Sequence, residues 1–242
     1  MNFLKFGNSR KFLIFLHGWG ADKNSFLWLK NYFSDYTKVF VDFAGFGETI
    51  EPKTPYHLSD YVNDLKILIE NFELNSNEKI EELVLVGHSF GGRVAIKFSF
   101  LYQNNYEKFR LCLVDAAGLK PRHGFSYYYK VYKYKIYKKL FPSSKKLLYF
   151  GSSDYKVLSL VMKQTFVSIV NEDLTNCARV ISAKTLIIWG EKDKETKMYM
   201  AKKLKRLIKN SSLEVISGAG HFSFLDKPMT FAIILDSFLK KQ

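Results

Sequence analysis

Apolar and polar positions follow two different periods along this chain. Short runs that are largely apolar at successive positions, 11–16, 37–43, 82–87, 109–115, 185–190 and 213–217, read as strands buried on both faces. Between them, residues 22–33, 58–72, 90–101, 195–207 and 228–240 place their apolar side chains at helical spacing. Ser59 is the expected cap of the second of these helices. Pro228 suits the first turn of the last one, with Asp226 as its cap. Regular alternation of strand and helix predicts an α/β fold, a mostly parallel sheet with helices on both faces. About ten residues precede Lys11, room for one more strand.

The alternation breaks once. Between about residue 120 and residue 180 no buried strand stands out, and two helix-like stretches, 127–141 and 157–170, take its place. In the first, Tyr129, Tyr132, Ile136 and Leu140 share a helical face. The expected organisation is one core made of residues 1–119 and 181–242, with 120–180 inserted as a helical cap over the strand ends.

The length of 242 residues fits a single large domain, and a hydrophobic content of 47% argues against wholesale disorder. The first ten residues lack the apolar stretch of a signal peptide, and no run is long enough to span a bilayer, so a soluble, cytoplasmic protein is expected. Two cysteines, Cys112 and Cys177, are expected to be reduced thiols rather than a disulfide framework. The formal charge is +14 and uneven: residues 119–164 carry eleven Lys or Arg against the single acid Asp154. Such an excess attracts acidic partners. It also fits a chain that leans throughout towards Lys, Ile, Phe and Tyr, and both readings stay open. No nucleic-acid motif accompanies the charge, so a nucleic-acid partner is not expected.

Sites in parallel sheets lie beyond the carboxyl ends of the strands, which directs attention to the residues after each run. Gly87-His88-Ser89-Phe90-Gly91 stands between a strand and a helix. A strand–turn–helix this sharp crowds the backbone around its central residue, small neighbours relieve the crowding, and the serine is raised above the sheet. A serine hydroxyl attacks only when a base removes its proton. His221, among small residues after the last strand, is the expected base. His17 and His88 read as structural, and His57 and His123 have no strand end behind them. The base needs a carboxylate on its other nitrogen. Asp193, after the strand 185–190, is the expected partner, with Asp115 and then Glu191 as competitors.

The order Ser89, Asp193, His221 resembles that of the α/β-hydrolase family. His17-Gly18-Trp19-Gly20 is similar to the family's oxyanion turn. The segment Asp42–Gly47 resembles its next loop, with Ala44 where Pro is usual. Gly87–Gly91 resembles its nucleophile elbow, Trp189–Asp193 its acid turn, and Gly220-His221 with Asp226-Lys227-Pro228 its histidine loop and last helix. The resemblance implies an oxyanion hole formed by the backbone amides of Trp19 and Phe90, an acyl-enzyme on Ser89, and a cap at 120–180. It implies no cofactor and no metal. The expected activity is hydrolysis of a small carboxylic ester by a serine hydrolase. The alternatives are a thioesterase or an esterase acting on an acyl-carrier protein, with the acidic carrier or an anionic lipid surface docked on the basic cap; a carbon–carbon hydrolase; and a ligand-binding relative without turnover. Carbon–carbon hydrolases typically have Asn before the serine and Trp after the histidine, whereas His88 and Phe222 stand there.

Overall fold

The computed structural model describes residues 1–120 and 157–241. Seven strands form one sheet: β1 (Asn2–Phe6), β2 (Lys11–Leu16), β3 (Thr37–Asp42), β4 (Glu82–His88), β5 (Lys108–Val114), β6 (Lys184–Gly190) and β7 (Ser211–Ile216), in the spatial order β1-β3-β2-β4-β5-β6-β7. Only β1 runs antiparallel, paired with β3; the rest are parallel. The single strand expected before Lys11 is β1.

Helices cover both faces. Among the described residues the α-helices, in chain order, are α1 (Leu58–Ser76), α2 (Phe90–Tyr102), α3 (Leu160–Asn171), α4 (Thr175–Arg179), α5 (Met198–Leu207), α6 (Ser223–Asp226) and α7 (Pro228–Lys240). The two-residue period of the strands divides the core cleanly. Phe12, Ile14 and Leu16 of β2 face one apolar layer, shared with α1, α2, α3 and α5. Leu13 and Phe15 face the other, shared with α6 and α7. Both layers are buried, which is why the central strands read as continuous apolar runs.

Several local expectations need correction. Residues 23–31 form a 3-10 rather than an α-helix; Lys23, Phe26 and Leu29 are its buried residues, and their spacing of three fits three residues per turn. Asp22 caps it by accepting from the Asn24 N–H at 2.8 Å. His57, not Ser59, stands at the N-cap of α1, and Asp60 reaches back to the His57 N–H at 2.6 Å. Lys227, not Asp226, precedes α7; Asp226 instead accepts from the Gly220 N–H at 2.7 Å and braces the loop that carries His221. The helix expected from residue 195 begins at Met198, because the Glu195 and Thr196 amides are held by the Asp193 carboxylate, at 2.8 and 2.9 Å.

Cys112 and Cys177 are both free. Among the described residues no helix is long and apolar enough to cross a membrane. The second inserted stretch is helical, as α3. The helix expected over 127–141 lies outside the described residues.

Candidate active site

Ser89 follows β4 directly and sits at φ +47°, ψ −108°, a left-handed backbone that residues other than glycine rarely adopt. The surroundings enforce it. Its N–H donates to the Val114 carbonyl at 3.1 Å, and its carbonyl accepts from the Ala117 and Gly92 amides at 3.0 and 3.1 Å. The two flanking glycines are required by close approach. A Cβ on Gly87 would lie 2.5 Å from the Gly91 carbonyl oxygen, and one on Gly91 would collide with the Leu16 carbonyl. The strain at this serine is thus set by tight packing on either side.

Asp193 and His221 meet. His221 Nδ1–H donates to Asp193 Oδ2 at 2.9 Å. The same oxygen lies 2.6 Å from the Thr196 hydroxyl, while Asp193 Oδ1 takes the Glu195 and Thr196 amides. Burial raises the affinity of Asp193 for a proton, but the bonds from His221 and Thr196 outweigh it and hold its carboxyl below the usual range. The turn carrying Asp193 is tied to the loop carrying His221: the Lys192 N–H donates to Ala219 O at 2.8 Å. Gly190 presses so closely on Gly220 that a Cβ there would strike the Gly220 carbonyl oxygen. Among the described residues the Ser89 hydroxyl takes part in no hydrogen bond, so the bond from serine to imidazole is open in this structure. Such bonds are often long before substrate binds.

The competing carboxylates do other work. Glu191 accepts from the Ser217 hydroxyl at 2.8 Å and the Gly218 N–H at 2.9 Å. Asp115 is fully buried at the end of β5; it accepts from the Gly190 N–H at 2.7 Å and from the Ser223 hydroxyl and N–H at 2.5 and 3.2 Å. It thereby links the start of the acid turn to the start of α6. Burial pushes its carboxyl up to about 7, against the opposing bonds from Ser223 and Gly190. An acid whose folded value is raised favours the native state most strongly below its unfolded value of 3.8, and that contribution is lost as pH climbs through 7. Wild type should therefore lose a few kcal/mol of unfolding free energy from this group between about pH 4 and pH 7. Urea titrations across that range check it: Asp115→Asn should have a flatter profile than wild type, and parallel profiles would refute the assignment.

His17 bridges two loops, with Nδ1–H donating to Gly18 O at 2.7 Å and Nε2 accepting the Phe43 N–H at 3.1 Å; burial keeps its pKa low. His57 lies by α3, with Nδ1 2.7 Å from the Ser168 hydroxyl. His123 lies outside the described residues. Trp19 stands between Gly18 and Gly20 after β2, and Phe90 opens α2. As the first residue of its helix, Phe90 has an N–H with no intrahelical acceptor. Among the described residues neither Trp19 nor Phe90 donates its N–H to a backbone carbonyl. Their rings pack at 5.4 Å, and Trp19 also meets Phe46 at 4.8 Å and Phe166 of α3 at 5.1 Å. Met162 of α3 covers Gly45, where a Cβ would lie 2.6 Å from the methionine methyl.

Sequence reasoning missed Thr196. Its spacing from Asp193, with the Thr196 N–H bonded to the aspartate three residues earlier, is that of a side-chain-capped turn, and an Asp followed three residues later by Thr was the available signal.

The profile of the Alpha/beta hydrolase family matches residues 13–232, and the chain belongs to that family. It is 27% identical to the AB hydrolase superfamily protein YisY of Bacillus subtilis over 89% of this chain and 86% of that one. It is 28% identical to the pimeloyl-[acyl-carrier protein] methyl ester esterase of Wigglesworthia glossinidia brevipalpis, over 95% and 93% of the two chains. Among solved structures it resembles an esterase from Exiguobacterium antarcticum, with a TM-score of 0.74, 25% identity, and 99% and 95% of the two chains covered. The family and these named esterases are hydrolases.

Proposed function

We propose that the protein is a serine esterase in which Ser89 is the nucleophile, His221 the base, Asp193 its orienting acid, and the Trp19 and Phe90 amides the oxyanion donors. The observation that carries this reading is the Asp193–His221 hydrogen bond of 2.9 Å at the same sheet edge as the strained serine. His221 takes the Ser89 proton while Oγ attacks the ester carbonyl carbon. The oxyanion turns towards the two amides, each such donor being worth about 2.7–4 kcal/mol of barrier. The tetrahedral intermediate collapses, the C–O bond to the alcohol breaks, and His221 returns the proton to the leaving oxygen. Water then attacks the acyl-enzyme by the same route in reverse order. A fluorophosphonate probe tests the reading: it should add one phosphonyl group to the peptide carrying Ser89, and a native protein left unlabelled would refute it.

On this reading the two halves of the substrate lie on opposite sides of Ser89. The leaving group must face His221, on the side of β5 to β7. The acyl group then lies towards β2 and β3, under Trp19, where Phe46, Phe90, Met162 and Phe166 fill the space. Small acyl groups are favoured. Met162→Ala should raise kcat/KM for longer p-nitrophenyl esters, roughly fourfold for each methylene the new space accepts. A chain-length series checks this, and an unchanged profile counts against the acyl side assigned here.

A second reading follows from one observation, the net +10 within residues 119–164. An acidic acyl carrier docked on that segment would make turnover of carrier-bound esters fall steeply with salt while turnover of small esters stays flat.

A further inference from the structure

We infer that His88 is a positioning residue that ties the catalytic histidine's loop to the nucleophile elbow and the oxyanion turn. The inference rests on the catalytic reading above and extends it to a residue with no part in the proton transfers. His88 is the last residue of β4 and is 2% exposed. Its side chain leaves the same face of the strand as Val84 and Val86, the face packed by α6 and α7. There its Nε2 lies 2.8 Å from the carbonyl oxygen of His221. A carbonyl only accepts, so Nε2 carries the proton. In the neutral ring Nδ1 is then bare.

That bare edge rests against the oxyanion turn: a Cβ on Gly18 would lie 2.8 Å from His88 Nδ1. The ring is confined on its remaining sides by His221, Phe222 and Phe224, with centroids 4.9, 5.1 and 5.0 Å away. Two loops carrying catalytic groups therefore meet on one imidazole, and its residue directly precedes Ser89 in the chain. Burial drives its pKa down to about 3, and the neighbouring His221 pushes in the same direction. Of the charged and titratable groups around it, Asp193 opposes and His17 adds to the depression. A neutral ring suits the task, because protonation would bring a second cation beside His221 as it becomes imidazolium during turnover.

Movement of the His221 backbone by even about 1 Å can cost on the order of 100-fold in rate when the imidazole must reach both serine and leaving group. His88→Leu removes the donor; His88→Gln offers an amide N–H at a similar distance from the backbone. The full-length chain and both variants are compared on p-nitrophenyl acetate, with thermal melts run alongside. His88→Leu should lower kcat roughly 10- to 100-fold with KM changed less than about twofold, and His88→Gln should recover most of the loss. A folded His88→Leu with kcat near wild type, or equal losses in both variants, overturns the inference. A measurement on wild type stands apart from variant folding. Imidazole nitrogen NMR should find His88 neutral, with its proton on Nε2, from pH 5 to pH 9. Titration in that range, or a proton on Nδ1, overturns it too. Failure of fluorophosphonate labelling at Ser89 would remove the catalytic reading itself. Labelling that proceeds while His88→Leu stays fully active removes only this inference.

Discussion

Ser89→Ala should abolish ester turnover, lowering kcat by about 10⁴- to 10⁶-fold, while leaving the protein folded and able to bind substrate. The size follows from the chemistry. Without Oγ no acyl-enzyme forms, and what remains is stabilisation of a water-attack transition state by the oxyanion amides and by binding, which still exceeds the uncatalysed reaction by about 10³- to 10⁴-fold in well-studied serine proteases. The substitution removes one hydroxyl that, among the described residues, is in no hydrogen bond, so no buried partner is left unsatisfied. The strained backbone at φ +47° remains, because it is set by the Val114, Ala117 and Gly92 contacts rather than by the side chain. Steady-state kinetics on p-nitrophenyl acetate with matched melting curves check this. Activity within tenfold of wild type would require a different nucleophile.

Asp193→Asn should cost about 10⁴-fold in kcat, again with little change in fold. Asp193 Oδ1 accepts two backbone amides, so the carbonyl oxygen of an asparagine must take that position. Its NH₂ then occupies the place of Oδ2 and faces His221 Nδ1 and the Thr196 hydroxyl. An amide N–H aimed at Nδ1 forces the imidazole proton onto Nε2, the tautomer that cannot accept from Ser89. The test is kinetic and spectroscopic together: a loss in kcat should coincide with a move of the His221 proton from Nδ1 to Nε2 in nitrogen NMR. A full loss without a change of tautomer would mean that the charge of Asp193, not its direction, matters most.

These two predictions draw on features that differ in how far they were legible in the sequence. The elbow was readable because its glycines report steric contact: a side chain at 87 or 91 meets backbone, and that leaves a mark in residue type. The place of His221 after the last strand was readable too. Which of Asp193, Asp115 and Glu191 bonds to His221 was not legible, since all three follow strand ends and only direction distinguishes Asp193, which reaches Nδ1. Strand positions were clear because both faces of the sheet are buried. Helix starts were less so, as side chains needed elsewhere displaced the expected caps: Asp226 serves the histidine loop, and Asp193 claims the amides that would have begun α5. The bond from His88 to His221 was hidden, because a histidine beside Ser89 carries no periodic signal and its partner is a backbone carbonyl 133 residues away.

The chain leaves the sheet after β5 and comes back to α4, and at that point Leu174 N–H donates to Gly118 O at 2.9 Å. Arg93 of α2 reinforces the closure: its guanidinium donates to the carbonyls of Ile169 and Glu172 at 3.0 and 2.9 Å, at the end of α3. The excursion is thus stapled at its base to the helix that follows Ser89. Because closing a loop costs free energy only logarithmically in its length, a segment pinned in this way can be lengthened, shortened or replaced at small thermodynamic cost to the scaffold beneath. The fold in this sense works as a socket, in which residues 121–156 can be exchanged while the sheet and the helices packed on it stay as they are.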